Sequence, residues 1–193
     1  AGLKSRAVAG AAAPPESDAE ALVSKSFDEV VREQGAGASP RRILTGLLDR
    51  ALSMVRADRA LLILLDADHA EVEIARNLEK ESIEKAEGFN LAALAQAREG
   101  RASVTNDPPL LCAPIRSARE DGRVLGAIYL DARPASRFFR DHDLRVVSAF
   151  ASRAADVLAD AQETRVHQEK TVLQNRELAR RYDMTQLIGE SPA

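Results

Sequence analysis

The side chains most often used in catalysis and metal binding are few and widely separated in this chain of 193 residues. It has one cysteine, Cys112, and three histidines, His69, His142 and His167. These four residues match neither the spacing of a metal site nor a Ser-His-Asp or Cys-His arrangement. We therefore interpret the histidines as surface residues, and we predict no enzyme activity and no resident cofactor.

Motifs for phosphate, nucleic acid and membranes are also missing from the sequence. The phosphate-binding loop Gly-x-x-x-x-Gly-Lys-Ser/Thr does not occur, and no basic recognition helix is visible. The formal net charge is -3, so no basic field favours nucleic acid. No apolar run has the length of a transmembrane helix. We expect no nucleic-acid or membrane partner and, with a lone cysteine and no signal-peptide core, a cytoplasmic location.

Hydrophobic periodicity predicts the elements that would position a site. Two apolar runs, Leu110–Ile115 and Val124–Leu130, flank the polar segment Arg116–Arg123, which predicts a β-hairpin with strands buried on both faces. A helix follows, with Asp141 and Asp143 in its first turn, where carboxylates are favoured. Its apolar stripe contains Leu144, Val147, Phe150, Ala151, Ala154, Val157, Leu158 and Ala161.

The first half of the chain predicts two helices and three strands. Ser39 is the expected N-cap of a helix that begins at Pro40, has its last apolar residue at Val55 and is ended by Ala57-Asp58. The other expected elements are strands Arg59–Leu65, Ala70–Ala75 and Ala102–Thr105, one or two helical turns in the charged segment Arg76–Gly88, and a helix capped by Asn90 and running to Arg98. The expected inward side chains are Val72 and Ile74 of the second strand and Leu91, Leu94 and Ala95 of the second helix. The predicted fold class is α+β, an α/β sandwich in which an antiparallel sheet of about five to six strands is flanked by helices.

This order of elements resembles the GAF domain family, which comprises small sensory α/β modules. The resemblance is carried by Cys112-Ala113-Pro114-Ile115 in one strand and by Val124–Asp131 in the next. A Phe-x-x-x-Asp-Leu step at Phe139, Asp143 and Leu144 and the Ala-rich helix segment Phe150–Ala155 complete it. The resemblance extends from Pro40 to Ala161 and implies a GAF-like antiparallel sheet with a possible small-molecule effector.

The resemblance also suggests where an effector would bind. The candidate lining residues are Arg76, Phe89 and Leu94 on one side and Cys112, Tyr129 and Asp131 on the sheet. Family members usually carry a covering segment that is missing here, since Asp107-Pro108-Pro109 leads straight into Leu110. We therefore expect the pocket to be open, small or missing. The other hypothesis is that these side chains simply pack or face solvent.

Several ligands known for the family fit this sequence poorly. The cyclic-nucleotide motif keeps only Phe139 and Asp143, and Cys112 has no nearby histidine for a bilin chromophore. Nitric-oxide-sensing activators hold a non-haem iron with a Cys, Asp and Arg set, which Cys112 and Asp131 partly match. Because Cys112 lies closer to Pro114 than in that family, iron is the lesser hypothesis. A related methionine-sulfoxide reductase would need paired reactive cysteines.

A polar helical pattern continues beyond Leu158, without Gly or Pro between Gln162 and Arg181. The positions assigned to a dimer helix are Leu158, Ala161, Val172, Asn175 and Tyr182. A buried Asn at position 175 would set the register of a two-stranded coiled coil. We predict a coiled-coil homodimer, and a solvated connector helix is the alternative.

The segment Ile188-Gly189-Glu190-Ser191-Pro192 resembles the start of the AAA+ ATPase domain in sigma-54-dependent bacterial transcription activators. The predicted domains are a flexible linker over 1–38 with a short helix at Ser26–Gln34, a GAF-like domain over 39–161, a helical linker over 162–184, and the start of an ATPase over 185–193. The predicted function is a sensory domain that controls a downstream ATPase through a dimeric helix. The alternative function is a ligand-free dimerisation module.

Overall fold

The computed structural model describes residues 16–35, 37–66, 69–83, 88–119, 122–133, 138–161 and 174. Its elements in chain order are α1 (Glu16–Gln34), α2 (Pro40–Val55), β1 (Arg59–Leu65), β2 (Ala70–Asn77), α3 (Leu91–Arg98), β3 (Ser103–Asn106), β4 (Pro109–Arg116) and β5 (Val124–Asp131). Residues 141–161 form a further helix, α4. The candidate positions Val172, Asn175 and Tyr182, together with His167 and the segment Ile188–Pro192, lie outside the described residues.

The five strands form one antiparallel sheet in the order β2-β1-β5-β4-β3. The α+β fold with an antiparallel sheet and flanking helices, predicted from the sequence, is confirmed. The predicted hairpin corresponds to β4 and β5, which occupy the interior of the sheet beside β1. Strand β1 passes close to Gly126 of β5, because a Cβ on that glycine would overlap the backbone carbonyl of Ile63. Only glycine allows this approach.

Each face of the sheet carries its own hydrophobic core. The main core lies between the sheet and α1, α2 and α4, and includes Leu48, Leu62, Leu111, Ile128 and Phe150. The α3 core lies on the opposite face, between the sheet and α3, and consists of Leu61, Ile63, Leu65, Ala75, Ala93, Leu94, Ala97, Leu110, Cys112, Ala127 and Tyr129. Strands β1, β4 and β5 are buried on both sides, which explains their nearly continuous apolar sequences.

Helix α1 corrects the predicted linker. It begins at Glu16 rather than at Ser26 and forms one packed helix. Ala19, Val23, Ser26 and Val30 recur at spacings of three and four and are all buried. A Cβ on Gly46 of α2 would lie 2.7 Å from the Cγ1 of Val30, so the absence of a side chain there lets α1 approach α2 closely. The sequence analysis missed this because the Ala-, Ser- and Glu-rich stretch has few large apolar residues.

Strand β2 departs from the predicted alternation because it contains a bulge. Leu62 pairs with Ile74 but Ile63 pairs with Val72, which leaves Glu73 as the extra residue. Ile74 therefore joins the main core and Val72 packs on the α3 core. The prediction that both point inward on one face was wrong.

Within its described residues 76–83, the charged segment that follows extends the strand and returns along the sheet edge, with no helical turn there. Arg76 and Asn77 belong to β2, and Arg76 forms an isolated antiparallel bridge with Ser82. The amide N–H of Glu81 donates to the side-chain oxygen of Asn77 at 2.7 Å. This contact closes a turn and returns the chain along the sheet edge, so that Ile83 reaches the α3 core.

Helix α3 has the predicted bounds but a different buried face. Asn90 caps it by accepting from the amides of Ala92 and Ala93 at 2.9 and 3.2 Å. Leu94 is buried as predicted, whereas Leu91 is 74% exposed. The buried positions are Ala93, Leu94 and Ala97. The prediction for Leu91 and Ala95 was wrong because the helix presents its small residues to the sheet.

Helix α4 completes the main core. The amide of Arg140 donates to the carboxylate of Asp143 at 2.9 Å, which satisfies a free N–H at the helix start. Val147, Phe150, Ala151 and Ala154 are buried, as the predicted stripe requires. Leu158, one of the proposed dimer positions, packs partly against this chain's own core. Among the described helices, none combines the length and apolar character needed to cross a membrane.

A pair of adjacent valines tests whether α1 is part of the folded unit. Val30 is 1% exposed and Val31 is 39% exposed, so both changes to Ala alter helix propensity equally but only one removes buried contacts. We expect Val30→Ala to lower the free energy of unfolding by about 2 kcal/mol. Val31→Ala should change it by no more than about 0.5 kcal/mol. Urea unfolding followed by circular dichroism measures both, and equal effects would contradict a packed α1.

Candidate functional site

The candidate site is a cavity of about 620 Å³ on the α3 face, at the end of the sheet where β1 begins and β5 ends. We call it the α3-face cavity. It is lined by Asp58, Arg59, Asn77, Ile83, Gly88, Phe89, Asn90, Pro108, Pro109, Leu110, Tyr129, Asp131, Ala132 and Arg133. Its volume lies within the range of small-molecule pockets. Of the expected alternatives, an open, small or missing pocket, only the open one agrees with a cavity of this volume.

An ion pair between Arg59 and Asp131 lies in the wall of this cavity. The two residues are paired across β1 and β5. The Nε of Arg59 donates to both carboxylate oxygens of Asp131, at 3.1 and 3.2 Å, and Nη2 contacts the same carboxylate. The side chains are 23% and 22% exposed, so each charge is mostly withdrawn from water. The hydrogen bond to Asp131 raises the pKa of Arg59, which keeps the guanidinium charged.

A second pair of oppositely charged residues, Asp58 and Arg133, also lines the cavity. The amide N–H of Arg133 donates to a carboxylate oxygen of Asp58 at 2.6 Å. The amide N–H of Asp58 donates to the carbonyl of Asp131 at 2.9 Å. These two hydrogen bonds join Asp58, which precedes β1, to Asp131 and Arg133 at the end of β5. They hold the charged residues together at this end of the sheet.

Tyr129 links the floor of the cavity to α3. Its hydroxyl accepts from the amide N–H of Asn90, the N-cap of α3, at 3.2 Å. Burial raises the pKa of Tyr129, and the nearby Asp131 carboxylate adds to that rise. Tyr129 is therefore neutral at physiological pH. Phe89 packs against the α3 core and borders the cavity next to the cap.

The structure divides the six predicted lining residues into three groups. Phe89, Tyr129 and Asp131 line the cavity together. Leu94 and Cys112 lie in the α3 core but not in the cavity lining.

Arg76 lies on the opposite face of the sheet from the other five. It makes a two-pronged ion pair with Asp49 of α2, in which Nε and Nη2 donate at 2.7 and 3.0 Å. Arg76 was predicted to begin a charged segment with one or two helical turns, but it belongs to β2, where its side chain points to the face that carries α2.

Non-haem iron does not fit this arrangement. Cys112 is fully buried, and burial raises the pKa of its thiol to about 12, whereas a metal ligand must be a thiolate. Asp131 is engaged by Arg59. Within the described residues, no three His, Cys, Asp or Glu side chains come together as a metal site would require.

Arg59 is the functional candidate that the sequence analysis missed. The residue opens a strand whose other positions are apolar, so its local pattern does not mark it as a site residue. The signal lay in the pairing: β1 and β5 are antiparallel neighbours, which sets a first-position arginine opposite a last-position aspartate. The pairing of Arg59 with Asp131 is recognisable only when the order of the strands in the sheet is known, and not from the positions of the strands in the sequence.

The cavity wall is connected to the start of α4 through Asn106. The cavity is lined by Pro108, in the turn between β3 and β4, and by Pro109, the first residue of β4. Asn106, at the end of β3, accepts from the amide of Phe139 at 2.8 Å and donates from Nδ2 to the Phe139 carbonyl at 3.1 Å. The buried Phe139 immediately precedes Arg140, whose amide is bonded by Asp143 of α4. The side chain of Asn106 therefore links the β3–β4 turn beside the cavity to the residues just before α4.

Several solved structures that share this fold are GAF domains. Those of phosphoenolpyruvate-protein phosphotransferases from Acinetobacter and Coxiella burnetii are 13% and 16% identical, with TM-scores of 0.55 and 0.56. The alignments cover 77% and 76% of this chain and 96% and 98% of those chains. The GAF domain of a candidate sensor histidine kinase from Pseudomonas syringae pv. tomato is 15% identical, with a TM-score of 0.54, covering 80% of this chain and 94% of that one.

These identities establish a shared fold and no shared ligand. Among curated proteins no match is found. The model of the GAF domain family matches residues 39–158, which is more than half of the chain. The match includes every strand of the sheet, α2, α3 and most of α4. The chain therefore belongs to the GAF domain family of signal-sensing modules.

Proposed function

We propose that this GAF domain is the sensory module of a cytoplasmic sigma-54-dependent transcription activator. In this proposal a small molecule in the α3-face cavity controls an AAA+ ATPase domain that follows the segment Ile188–Pro192. The observation that carries the proposal is the cavity itself, which is lined by charged and apolar residues and lies in a domain of a sensory family. The resemblance of Ile188–Pro192 to the start of such ATPases supplies the downstream partner. The domain itself is assigned no catalytic activity.

The contacts of Asn106 support a structural connection from the cavity to the helix that leads toward the proposed ATPase domain. A ligand between Phe89 and Pro109 would press on the β3–β4 turn, which is bonded to the residues that open α4. Helix α4 packs along the main core and leads toward residues 162–184, the proposed connection to the ATPase. By linkage, an effector acts only by binding one arrangement of these elements better than the other.

The alternative function, a ligand-free dimerisation module, is favoured by one observation on the helical face. Leu22 of α1, in the helical layer that also contains α4, is an apolar side chain that is 46% exposed. Homodimerisation through α4 and the following helix is compatible with both functions. The two functions differ in whether the cavity is needed for control of the ATPase.

The first test measures ATP hydrolysis by the full-length activator. Deleting residues 16–161 should change the rate by about fivefold or more, because the sensory domain biases the ATPase between two states. Asn106→Ala should move the rate toward that of the deletion protein, since it removes both bonds to Phe139 while leaving the buried cores intact.

The control for this test is Ser53→Ala, which removes an exposed hydroxyl that bonds only within α2. It should leave the rate unchanged. If the deletion and Asn106→Ala both leave ATP hydrolysis unchanged, the proposed control of the ATPase is refuted. If only the deletion acts, the domain controls the ATPase by a route that bypasses Asn106.

The second test concerns the iron alternative and uses the chemistry of Cys112. With a pKa of about 12, roughly one thiol in ten thousand is ionised at pH 8, and the sulfur is also buried. We expect Ellman's reagent to leave the folded protein unmodified over hours and to modify it quickly in urea. Rapid modification of the folded protein would show a reactive, accessible thiol and would return iron ligation to consideration.

The raised pKa of the Cys112 thiol also sets the direction in which the stability of the fold depends on pH. Because folding raises the pKa of Cys112 above its ordinary value of 9.0, its contribution to stability is present below pH 9 and is lost as the pH rises toward 12. Cys112→Ser should flatten that alkaline loss of stability, which thermal unfolding at several pH values would detect.

A further inference from the structure

We propose that Arg76 is a positioning residue of the α3-face cavity, although its side chain lies on the opposite side of the sheet. In this proposal Arg76 binds the turn of residues 77–83, which we call the β2 turn, and joins it to Asp49 of α2. The inference rests on the proposed function in taking the cavity as the effector site. It adds a connection between the cavity and the helical layer that is separate from the one through Asn106.

The β2 turn folds back along the outer edge of β2 and forms part of the cavity wall. The amide N–H of Asn77 donates to the carbonyl of Glu81 at 3.1 Å, and the amide N–H of Ile83 donates to the carbonyl of Ala75 at 3.0 Å. Asn77 and Ile83 both line the α3-face cavity. The position of this turn therefore sets part of the shape of the cavity.

The side chain of Arg76 contacts α2 and the β2 turn at the same time. Its Nε and Nη2 donate to the two carboxylate oxygens of Asp49 at 2.7 and 3.0 Å. Its Nη1 donates to the hydroxyl of Ser82 at 3.2 Å, and Nη2 also donates to the carbonyl of Lys80. The side chains of Arg76 and Asp49 are 12% and 18% exposed, so their pairing is mostly withdrawn from water. Hydrogen bonds between charged groups are stronger than neutral ones, which makes this network a firm link.

The conformation of the β2 turn is one that its own residues only partly favour. Lys80 has a φ of 61°, in the left-handed region that glycine adopts more readily than lysine. Leu78 is 49% exposed, so the tip of the turn buries little apolar surface. Arg76 bonds to the residues on both sides of Glu81, and we infer that these bonds hold the turn closed.

Arg76 and Asn106 occupy corresponding places at the two edges of the sheet. Arg76 lies near the end of β2 and Asn106 at the end of β3, and these are the outermost strands. Each is close in sequence to residues that line the cavity, and each bonds to the helical layer: Arg76 to α2, and Asn106 to the backbone just before α4. A displacement of α2 would therefore reach the cavity wall through Arg76, and a ligand that moves the wall would act on α2 through the same contacts.

The experiment measures hydrogen exchange of single backbone amides by NMR in the ¹⁵N-labelled chain of 193 residues, with no ligand added. We expect Arg76→Gln to speed exchange at Asn77 and Ile83 by about tenfold or more, because their hydrogen bonds persist only while the β2 turn is closed. Exchange of the amides in β1 and β5, which requires opening of the sheet interior, should change much less.

Two further variants test the two halves of the network. Arg76→Lys keeps a positive charge beside Asp49, but one ammonium group cannot reproduce the fork that also reaches Lys80 and Ser82. It should loosen the β2 turn nearly as much as Arg76→Gln. Asp49→Asn changes only α2, yet it should also speed exchange in the turn. Adding it to Arg76→Gln should bring no further increase, because both changes remove the same link.

The matched control is Arg41→Gln. Arg41 of α2 pairs with Glu73 of β2, so this ion pair joins the same two elements but lies outside the β2 turn. The change should leave exchange at Asn77 and Ile83 as it is in the unmodified chain.

A methyl signal reports on the cavity wall itself. Ile83 packs against the α3 core, whereas Ile74 of the same strand region packs in the main core. Arg76→Gln should move the δ1-methyl signal of Ile83 toward the position typical of an exposed isoleucine. The signal of Ile74 should stay in place.

Three results would overturn the inference. If Arg76→Gln leaves exchange at Asn77 and Ile83 unchanged, the β2 turn is held by its backbone bonds alone. If the amides of β1 and β5 speed up equally, the ion pair stabilises the whole fold and not the turn. If Asp49→Asn has no effect on the turn, α2 is not joined to the cavity wall. None of these results decides the proposed function, which is tested by ATP hydrolysis of the full-length deletion and Asn106→Ala proteins.

Discussion

The pairing of β1 with β5 is the interaction on which the rest of the structure depends. These strands lie inside the sheet and are buried on both faces, so their register fixes the two cores at once. The close passage of Gly126 past the backbone of Ile63 leaves no room for a side chain there. The same register sets Arg59 opposite Asp131, although they are far apart in sequence. Because a one-residue slip of β1 against β5 would send the side chain of one partner to the other face, the fold and the charged wall of the cavity are specified by a single pairing.

The two faces of the sheet carry different parts of the domain. The α3 face carries the cavity and a small helix whose N-cap is bonded to Tyr129. The opposite face carries α1, α2 and α4 on the larger core, with Arg76 and Asp49 paired between β2 and α2. A ligand on one face reaches the helices on the other only around the end of the sheet. Asn106 lies there, with its side chain bonded to the backbone that opens α4. These bonds are the connection through which we propose that a ligand in the cavity influences the helical layer.

Much of this fold follows from local patterns in the sequence. The bounds of β1, α2 and α3, the caps at Ser39 and Asn90, and the stripe of α4 were all predicted, because each depends on nearby residues. The errors arose where distant packing decides. The bulge at Glu73 puts the side chain of Val72 on the opposite face from Ile74. Arg76 lies in β2, where its side chain points away from the cavity. Helix α1 is stabilised by contacts with α2 that are not evident from its own few large apolar residues. Half of the predicted lining lies in the cavity, and Arg59 was missed because a cross-strand pair is visible only once the strand order is known.

The most direct test of the central claim is a map of backbone amide shifts in ¹⁵N-labelled protein during titration with small-metabolite mixtures that contain amino acids, organic acids and nucleotides. The account predicts shifts at Arg59, Phe89, Asn90, Tyr129 and Asp131, which line the cavity, and a second set at Asn106 and Phe139. Shifts confined to the outer surfaces of α1, α2 and α4, or no shifts at saturating concentration, would contradict it. Shifts around the cavity without any at Asn106 and Phe139 would contradict the proposed link to α4.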